Sequence, residues 1–105
     1  MKETAIGDVF IEIVVKAADA VGAGIGSRDE IEEPLEEALS AAGLGGVTGG
    51  GGGSGVYIVD VEIVTEERFG DALRVIRRAL RGARVPPSTL IKRHTPKELE
   101  FPVYL

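Results

Sequence analysis

Residues 57–64 read YIVDVEIV and residues 9–16 read VFIEIVVK, and these two stretches decide the fold. In both, apolar side chains occupy every second position, which is typical of a strand with one face in a hydrophobic core. The positions out of phase with that core include Glu12, Asp60 and Glu62. The two stretches therefore predict two strong strands whose carboxylates lie on the sheet face away from the core.

A first helix is predicted between these strands. Apolar residues from Ile31 to Leu39 recur at three- and four-residue spacing, which gives one buried stripe. Ser27 and Glu30 have the spacing of a capping box at its start. Gly43 is placed to end the helix in a left-handed conformation.

A second helix over residues 69–83 has the clearest apolar periodicity in the chain, and residues 88–94 form a final strand. With residues 17–26 as a small-residue loop, the order becomes β-α-β-β-α-β. This is the order of the ferredoxin-like α+β sandwich, an antiparallel sheet with two helices on one face. The two strong strands then occupy the centre of the sheet, where we expect them to run parallel to each other.

A chain of 105 residues predicts a single ferredoxin-like domain over 1–105. Within it, residues 45–55 read GGVTGGGGGSG. We expect a short edge strand at Val47 and Thr48 and a mobile glycine-rich loop after it, because glycines have no side chains to pack and much entropy to lose. The tail at 96–105 is apolar in part, and we expect it to dock on the domain or on a partner chain.

The composition excludes several classes of chemistry. The chain has no Cys and one His, which excludes disulfides, thiolate nucleophiles and the usual Cys/His zinc sites. No phosphate-binding P-loop is present, and residues 22–27, GAGIGS, do not match the dinucleotide-binding spacing. No apolar run suggests a membrane span and no signal peptide is apparent, which predicts a cytoplasmic protein. The missing motifs and ligand residues predict that it has no cofactor and no resident metal.

A group of charged residues is predicted on the sheet face away from the helices. Carboxylates that converge there could bind a divalent cation or act as an acid–base pair, and the neighbouring bases could equally neutralise them. The candidate residues are Glu12, Asp60, Glu62, Lys92 and His94.

Large apolar side chains are predicted on the same sheet face. An exposed apolar patch of this kind usually marks an interface, so we expect either homo-oligomerisation through the sheet or coverage by residues 101–105. The candidate interface residues are Phe10, Val14, Ile58, Val64 and Leu90.

An arginine stripe lies on the polar side of the second helix, at Arg74, Arg77, Arg78 and Arg81. It could bind RNA or an acidic protein partner, or it could pair with the glutamates at 32, 33, 36 and 37 of the first helix. We favour the pairing, because the net charge is −5 and the stripe contains no aromatic residue to stack on a base. No nucleic-acid or membrane binding is expected.

Residues 37–55 and 56–80 together resemble the PII-like signalling proteins, in which a helix ends in a glycine-rich turn and a flexible loop leads to a strand and a helix. The resemblance implies a ferredoxin-like trimer that binds nucleotides between subunits. The turn that contacts phosphate in that family corresponds here to RGARVPPSTL at 81–90 and lacks the Gly-Asp-Gly-Lys type of contact.

Together, the sequence predicts a small cytoplasmic binding or interaction module that forms a homo-oligomer, with a protein or small-molecule partner and a regulatory role. A small enzyme or metal-binding protein that uses the carboxylates of the uncovered sheet face is the alternative.

Overall fold

The two stretches quoted above form neighbouring strands of one sheet. A computed structural model of the chain describes residues 7–104. Within them it has an α+β architecture with three α-helices and a five-stranded antiparallel sheet. In chain order the elements are β1 (Val9–Lys16), α1 (Ala17–Gly22), α2 (Asp29–Ala41), β2 (Gly45–Gly53), β3 (Val56–Ile63), α3 (Phe69–Gly82), β4 (Leu90–Thr95) and β5 (Leu99–Pro102), with a short 3₁₀ turn (Glu66–Arg68) before α3.

The strands lie in the order β2-β3-β1-β4-β5. The predicted strands β1 and β3 are neighbours, with Val9 opposite Ile63 and Lys16 opposite Val56. They are antiparallel, so the expectation of a parallel central pair is wrong. The reason is the tight turn between β2 and β3, which reverses the chain and inserts β3 between β2 and β1 in the opposite direction.

One face of the sheet forms the hydrophobic core with the helices. Ile11 and Ile13 of β1 and Val61 of β3 are 0% exposed, and they join one cluster with Leu35 of α2 and Ile76 of α3. Burying a side chain of this size stabilises a fold by about 1.5–3 kcal/mol. The alternation read from the sequence is confirmed, and both long helices pack on the same side of the sheet.

The glycine-rich segment is a strand. β2 pairs with β3 over its whole length, from Gly45 opposite Ile63 to Gly53 opposite Val56, with one irregularity between Val47 and Gly49. The expected edge strand at Val47 and Thr48 is present but longer than predicted, and the expected glycine-rich loop is wrong. Strand pairing uses backbone N–H and C=O groups, which glycine possesses. A two-residue turn follows, in which Ser54 (φ 52°) and Gly55 (φ 78°) are both left-handed, as type I′ hairpins require.

The ends of the helices correct two further expectations. Residues 17–22 form α1 instead of a loop. At the start of α2, the Glu30 carboxylate accepts a hydrogen bond from the Gly26 N–H (3.0 Å), one residue before Ser27, and no side chain of the N-cap bonds the helix. The expected capping box between Ser27 and Glu30 therefore does not form. Gly43 ends α2 with φ 67°, as predicted.

All three α-helices end in the same backbone motif. The residue after the cap is left-handed, and the next N–H donates to the carbonyl five residues earlier, as in a Schellman motif. These pairs are Ile25 with Ala20, Leu44 with Leu39, and Val85 with Leu80. In α3 the left-handed residue is Arg84 (φ 64°), where the other two helices have glycine.

The C-terminal tail docks on the chain itself. β5 extends the sheet beside β4, the Phe101 ring lies 5.5 Å from the Phe69 ring, and Val103 is 0% exposed. The Tyr104 hydroxyl donates to the Val85 carbonyl at 2.6 Å. The tail therefore extends the sheet edge and the core, and residues 99–104 do not cover the face opposite the helices.

Candidate functional site

The sheet face opposite α2 and α3, called here the open face, carries the predicted charged residues. Four pairings across the sheet place Gly49, Asp60, Glu12, Lys92 and Glu100 side by side on five successive strands. We call these residues the polar row. The sequence predicted which face these side chains share, and the strand register brings Glu12 directly between Asp60 and Lys92.

A second row on the open face is apolar. Two residues away from the polar row on each strand, the pairings connect Gly51, Ile58, Val14, Leu90 and Pro102. We call this the apolar row, and Ile58, Val14 and Leu90 in its middle are partly exposed. Three of the five predicted interface residues thus lie side by side on adjacent strands, with Val14 between Ile58 and Leu90.

The other two predicted interface residues lie apart from the apolar row. Phe10 is on the far side of the polar row, where its ring lies 5.7 Å from the His94 ring. Val64 follows the last residue of β3, and its backbone N–H donates to the Leu44 carbonyl at 2.9 Å.

His94 approaches the polar row because of a β-bulge. β1 opposes β4 with Phe10 across from Thr95 and Ile11 across from Arg93, which leaves His94 as the extra residue. Its Nε2 lies 2.8 Å from Glu12 Oε1. Both side chains remain about one-third exposed, at 34% for His94 and 29% for Glu12. The carboxylate and the imidazole thus form one hydrogen-bonded pair on the open face.

Asp60 is the most unusual group of the open face. Its pKa is raised above the ordinary value of 3.8, mainly because burial disfavours the charged carboxylate and also because Glu12 is close; Arg28 and His94 oppose the shift. Its Oδ1 is buried and accepts no hydrogen bond. Among residues 7–104, the Asp60 carboxylate thus lacks a direct cationic or hydrogen-bonding partner.

The remaining predicted site residues have contacts of their own. Glu62 Oε1 accepts a hydrogen bond from the Gly7 N–H at 3.3 Å. The Lys92 ammonium lies 3.7 Å from Glu100 Oε2, a long and solvent-exposed pair. Within the part of the chain that the structure describes, no group of three or more acids and histidines is placed to hold a metal ion.

The glycines of β2 form a bare strip beside Asp60 and Ile58. A Cβ on Gly51 would meet no atom within 4 Å, and one on Gly49 would meet only Asp60 Oδ2 at 3.5 Å. Glycine in a strand often marks a place where another backbone or a ligand approaches closely. Sequence reasoning missed this feature because it placed these glycines in a loop.

The arginine stripe does not pair with α2, contrary to our expectation. Arg77 Nε donates to the Pro102 carbonyl at 2.9 Å, Arg81 approaches the Val103 carbonyl at 3.5 Å, and Arg74 pairs with Asp71 on its own helix. Two members of the stripe, Arg77 and Arg81, thus fasten β5 and the residue after it, while Arg78 lines the groove between α2 and α3.

The glutamates of α2 lie along the edge of β2. Glu32 pairs with Arg28 at 2.6 Å, and the Glu36 carboxylate accepts a hydrogen bond from the Val47 N–H at 2.8 Å. Glu33 and Glu37 line the same shallow groove. This contact satisfies one outward-facing amide of an edge strand, which sequence patterns did not indicate.

No helix within residues 7–104 has the length and apolar character to cross a membrane.

Comparisons with protein-family models, with curated proteins and with solved structures give no match to this chain.

Proposed function

We propose that this chain is a small cytoplasmic binding module whose interaction surface is the open face, and that its first partner is a second copy of itself. The observation that supports this is the apolar row. Val14, Ile58 and Leu90 lie partly exposed on the three inner strands, where an isolated chain would leave them in water. The tail, which offered another cover, packs elsewhere.

The size of the open face limits the interface that two copies can form. Strands about 4.8 Å apart and about 3.3 Å per residue give the face an area of roughly 600 Å². Stable complexes bury about 800 Å² on each partner. We therefore expect a weak assembly with a micromolar dissociation constant, as suits a reversible or regulatory partner.

We also propose that the fold is ferredoxin-like, with β5 as an addition at one edge. This assignment is supported by the order β2-β3-β1-β4 within the sheet and by the packing of α2 and α3 in one core. A relationship to PII-like proteins stays a prediction. In that family the segment between the helix and the second central strand is a flexible loop, whereas here it is β2.

The self-association is tested by a matched pair of substitutions. Val14→Lys places a charge in the middle of the open face, and Val21→Lys makes the same change in α1, where Val21 is 68% exposed. We expect the mass from light scattering or sedimentation to rise with concentration for the wild type and for Val21→Lys, and to stay monomeric for Val14→Lys. A wild type that is monomeric at several hundred micromolar contradicts the proposal.

A second candidate function is acid–base or metal chemistry on the open face. The Glu12–His94 pair at 2.8 Å, next to Asp60 with its raised pKa, favours it. A ligand that binds the folded chain raises its melting temperature. Titration of Mg²⁺, Mn²⁺ and Ca²⁺ into the wild type and Glu62→Gln, with no thermal shift for any of them, removes the metal version of this hypothesis.

A further inference from the structure

We propose that two copies pair open face to open face about a two-fold axis parallel to β1, so that Asp60 of each copy meets Lys92 of the partner subunit. This inference rests on the proposed self-association and specifies its geometry. It makes the polar row a composite site, because the cation that forms an ion pair with Asp60 comes from the other copy.

The distribution of charge selects this axis. In the polar row the unpaired acid, Asp60, lies on β3 at one side of β1, and the base, Lys92, lies on β4 at the other side. Rotation about an axis along β1 exchanges the two sides, so β3 faces the partner's β4 and opposite charges meet. Rotation about an axis that crosses the strands at the polar row places β3 over β3, where Asp60 meets Asp60 and Lys92 meets Lys92. Like charges brought together in this way disfavour that arrangement.

The same axis gives matching shapes. Within the apolar row it places Ile58 against Leu90 of the partner subunit and Val14 against Val14. It also places β2 over the partner's β5, so that the bare strip at Gly49 and Gly51 receives the side chains of Glu100 and Pro102. A glycine strand facing a strand with side chains is a complementary pair, and sheets packed face to face are separated by about 10 Å.

The partners of Asp60 and Lys92 within one copy are weak. The Asp60 carboxylate has a buried, unsatisfied Oδ1, and the Lys92 ammonium is 3.7 Å from an exposed glutamate. Because Oδ1 is closed to solvent, a lysine that approaches from the facing sheet would meet the other carboxylate oxygen, Oδ2. It would supply a cation at ion-pair distance and lose little by leaving Glu100. Each dimer forms this contact twice.

Two like-charge contacts oppose the pairing. Glu100 of the partner subunit enters over Gly49, whose Cβ position lies 3.5 Å from Asp60 Oδ2, so it approaches that carboxylate. Glu12 lies on β1, so the axis brings it near Glu12 of the partner subunit. His94, at 2.8 Å from each Glu12, offsets part of this repulsion when it is protonated. Removal of the like charge by Glu12→Gln is therefore expected to tighten the dimer, by about two- to ten-fold in dissociation constant.

Mixing two charge-reversed variants tests the axis. Asp60→Lys sets lysine against lysine, and Lys92→Asp sets aspartate against aspartate, so each variant alone is expected to be monomeric. An equimolar mixture restores opposite charges at both contacts, and we expect a heterodimer with a dissociation constant within about ten-fold of the wild-type value. The readout is sedimentation velocity, with one variant fluorescently labelled.

Two controls keep the result interpretable. A double variant that carries both Asp60→Lys and Lys92→Asp should dimerise with itself. Glu67→Lys and Lys97→Asp, which make the same charge changes at exposed positions off the open face, should leave the association at its wild-type strength. Circular dichroism confirms that each variant folds. Wild-type dimers without any rescue in the mixture overturn the axis and leave the proposed function standing, whereas a monomeric wild type overturns both.

Discussion

The two faces of β1 share one backbone and differ in every other respect. Toward the helices, Val9, Ile11, Ile13 and Val15 are 0% exposed. Toward the open face, apolar and charged residues alternate, and all but the last are only partly exposed. Packing against the helices explains the residues of the first face. The second face has apolar area and charges that packing within one chain does not explain. The open face is accordingly where we look for interaction.

Adjacent residues on opposite faces provide the largest test of this difference. Ile13→Ala leaves a cavity in the core and is expected to lower the free energy of unfolding by about 3 kcal/mol. Val14→Ala, one residue later on the open face, should cost less than about 1 kcal/mol. Urea denaturation at submicromolar concentration, below the expected dissociation constant, measures both. Equal costs would mean that the open face is as closely packed as the core.

Adjacent glycines of β2 should differ in the same way. A Cβ on Gly50 would lie 2.4 Å from the Ile58 carbonyl oxygen, so Gly50→Ala forces the strands apart and should cost about 1–3 kcal/mol. Gly51→Ala meets open space and should stabilise the isolated chain by about 0.5 kcal/mol through the lower entropy of its unfolded state. Thermal melts compare the two variants. If both alanines destabilise equally, the contacts around β2 differ from those described here.

Asp60 should give the open face a distinct pH dependence. Because its pKa is raised on folding, the folded chain holds this proton to higher pH than the unfolded chain does. Its contribution to stability is therefore present below the ordinary pKa of 3.8 and is lost as the pH rises through the raised value.

Asp60→Asn removes this titration. The variant should be more stable than the wild type at pH 7, by about 0.5 kcal/mol, and the difference should vanish or reverse near pH 3. Denaturation at several pH values, at protein concentrations where the chain is monomeric, measures it. A variant that is less stable at neutral pH would show that the carboxylate makes a favourable contact.

The smallest expected effect is on the outer surface of α3. We expect no binding of single-stranded or duplex nucleic acid at physiological salt, since the net charge is −5 and Arg77 and Arg81 already contact backbone carbonyls of the tail. Fluorescence anisotropy across a salt series checks this. Micromolar affinity that weakens steeply with salt and disappears in Arg74→Glu/Arg78→Glu would make the stripe, and not the open face, the functional surface.

The elements that the sequence predicted are those whose side chains alternate against a core. β1, β3, α2 and α3 were predicted because their apolar residues have a strand or a helix period. The direction of β3 relative to β1 was not predicted, because apolar residues alternate in the same way in parallel and antiparallel strands. The turn at Ser54 and Gly55 carries that information.

The extension of β2 beyond Val47 and Thr48 was not predicted, because its pairing depends on its neighbour. Glycine has low intrinsic strand propensity, and such propensities depend strongly on context. Here the backbone N–H and C=O groups along the edge of β3 are free to pair, and β2 pairs with them. The expected pairing of the arginines with α2 failed for a similar reason, since the position of β5 beside β4 determines which carbonyls Arg77 and Arg81 reach.

The candidate site was predicted as a set of residues on one face but not as a row. Alternation alone places Glu12, Asp60 and Lys92 on the open face. Their alignment depends on register, and the contact of His94 with Glu12 depends on a bulge that the sequence does not mark. The raised pKa of Asp60 follows from burial among these neighbours, which becomes apparent only once the strands are paired.

The five glycines at positions 49–53 carry no label that distinguishes one register of β2 from the next. Their alignment is held only at the ends, by Val47 against the core and by the left-handed turn at Ser54 and Gly55. Between these two anchors no side chain distinguishes one glycine from the next. A chain with one glycine more or fewer keeps both anchors and absorbs the change at the irregularity after Val47. With the turn fixed, one glycine more leaves a glycine opposite Asp60, whereas one glycine fewer brings Thr48 into that position and places a side chain on the bare strip.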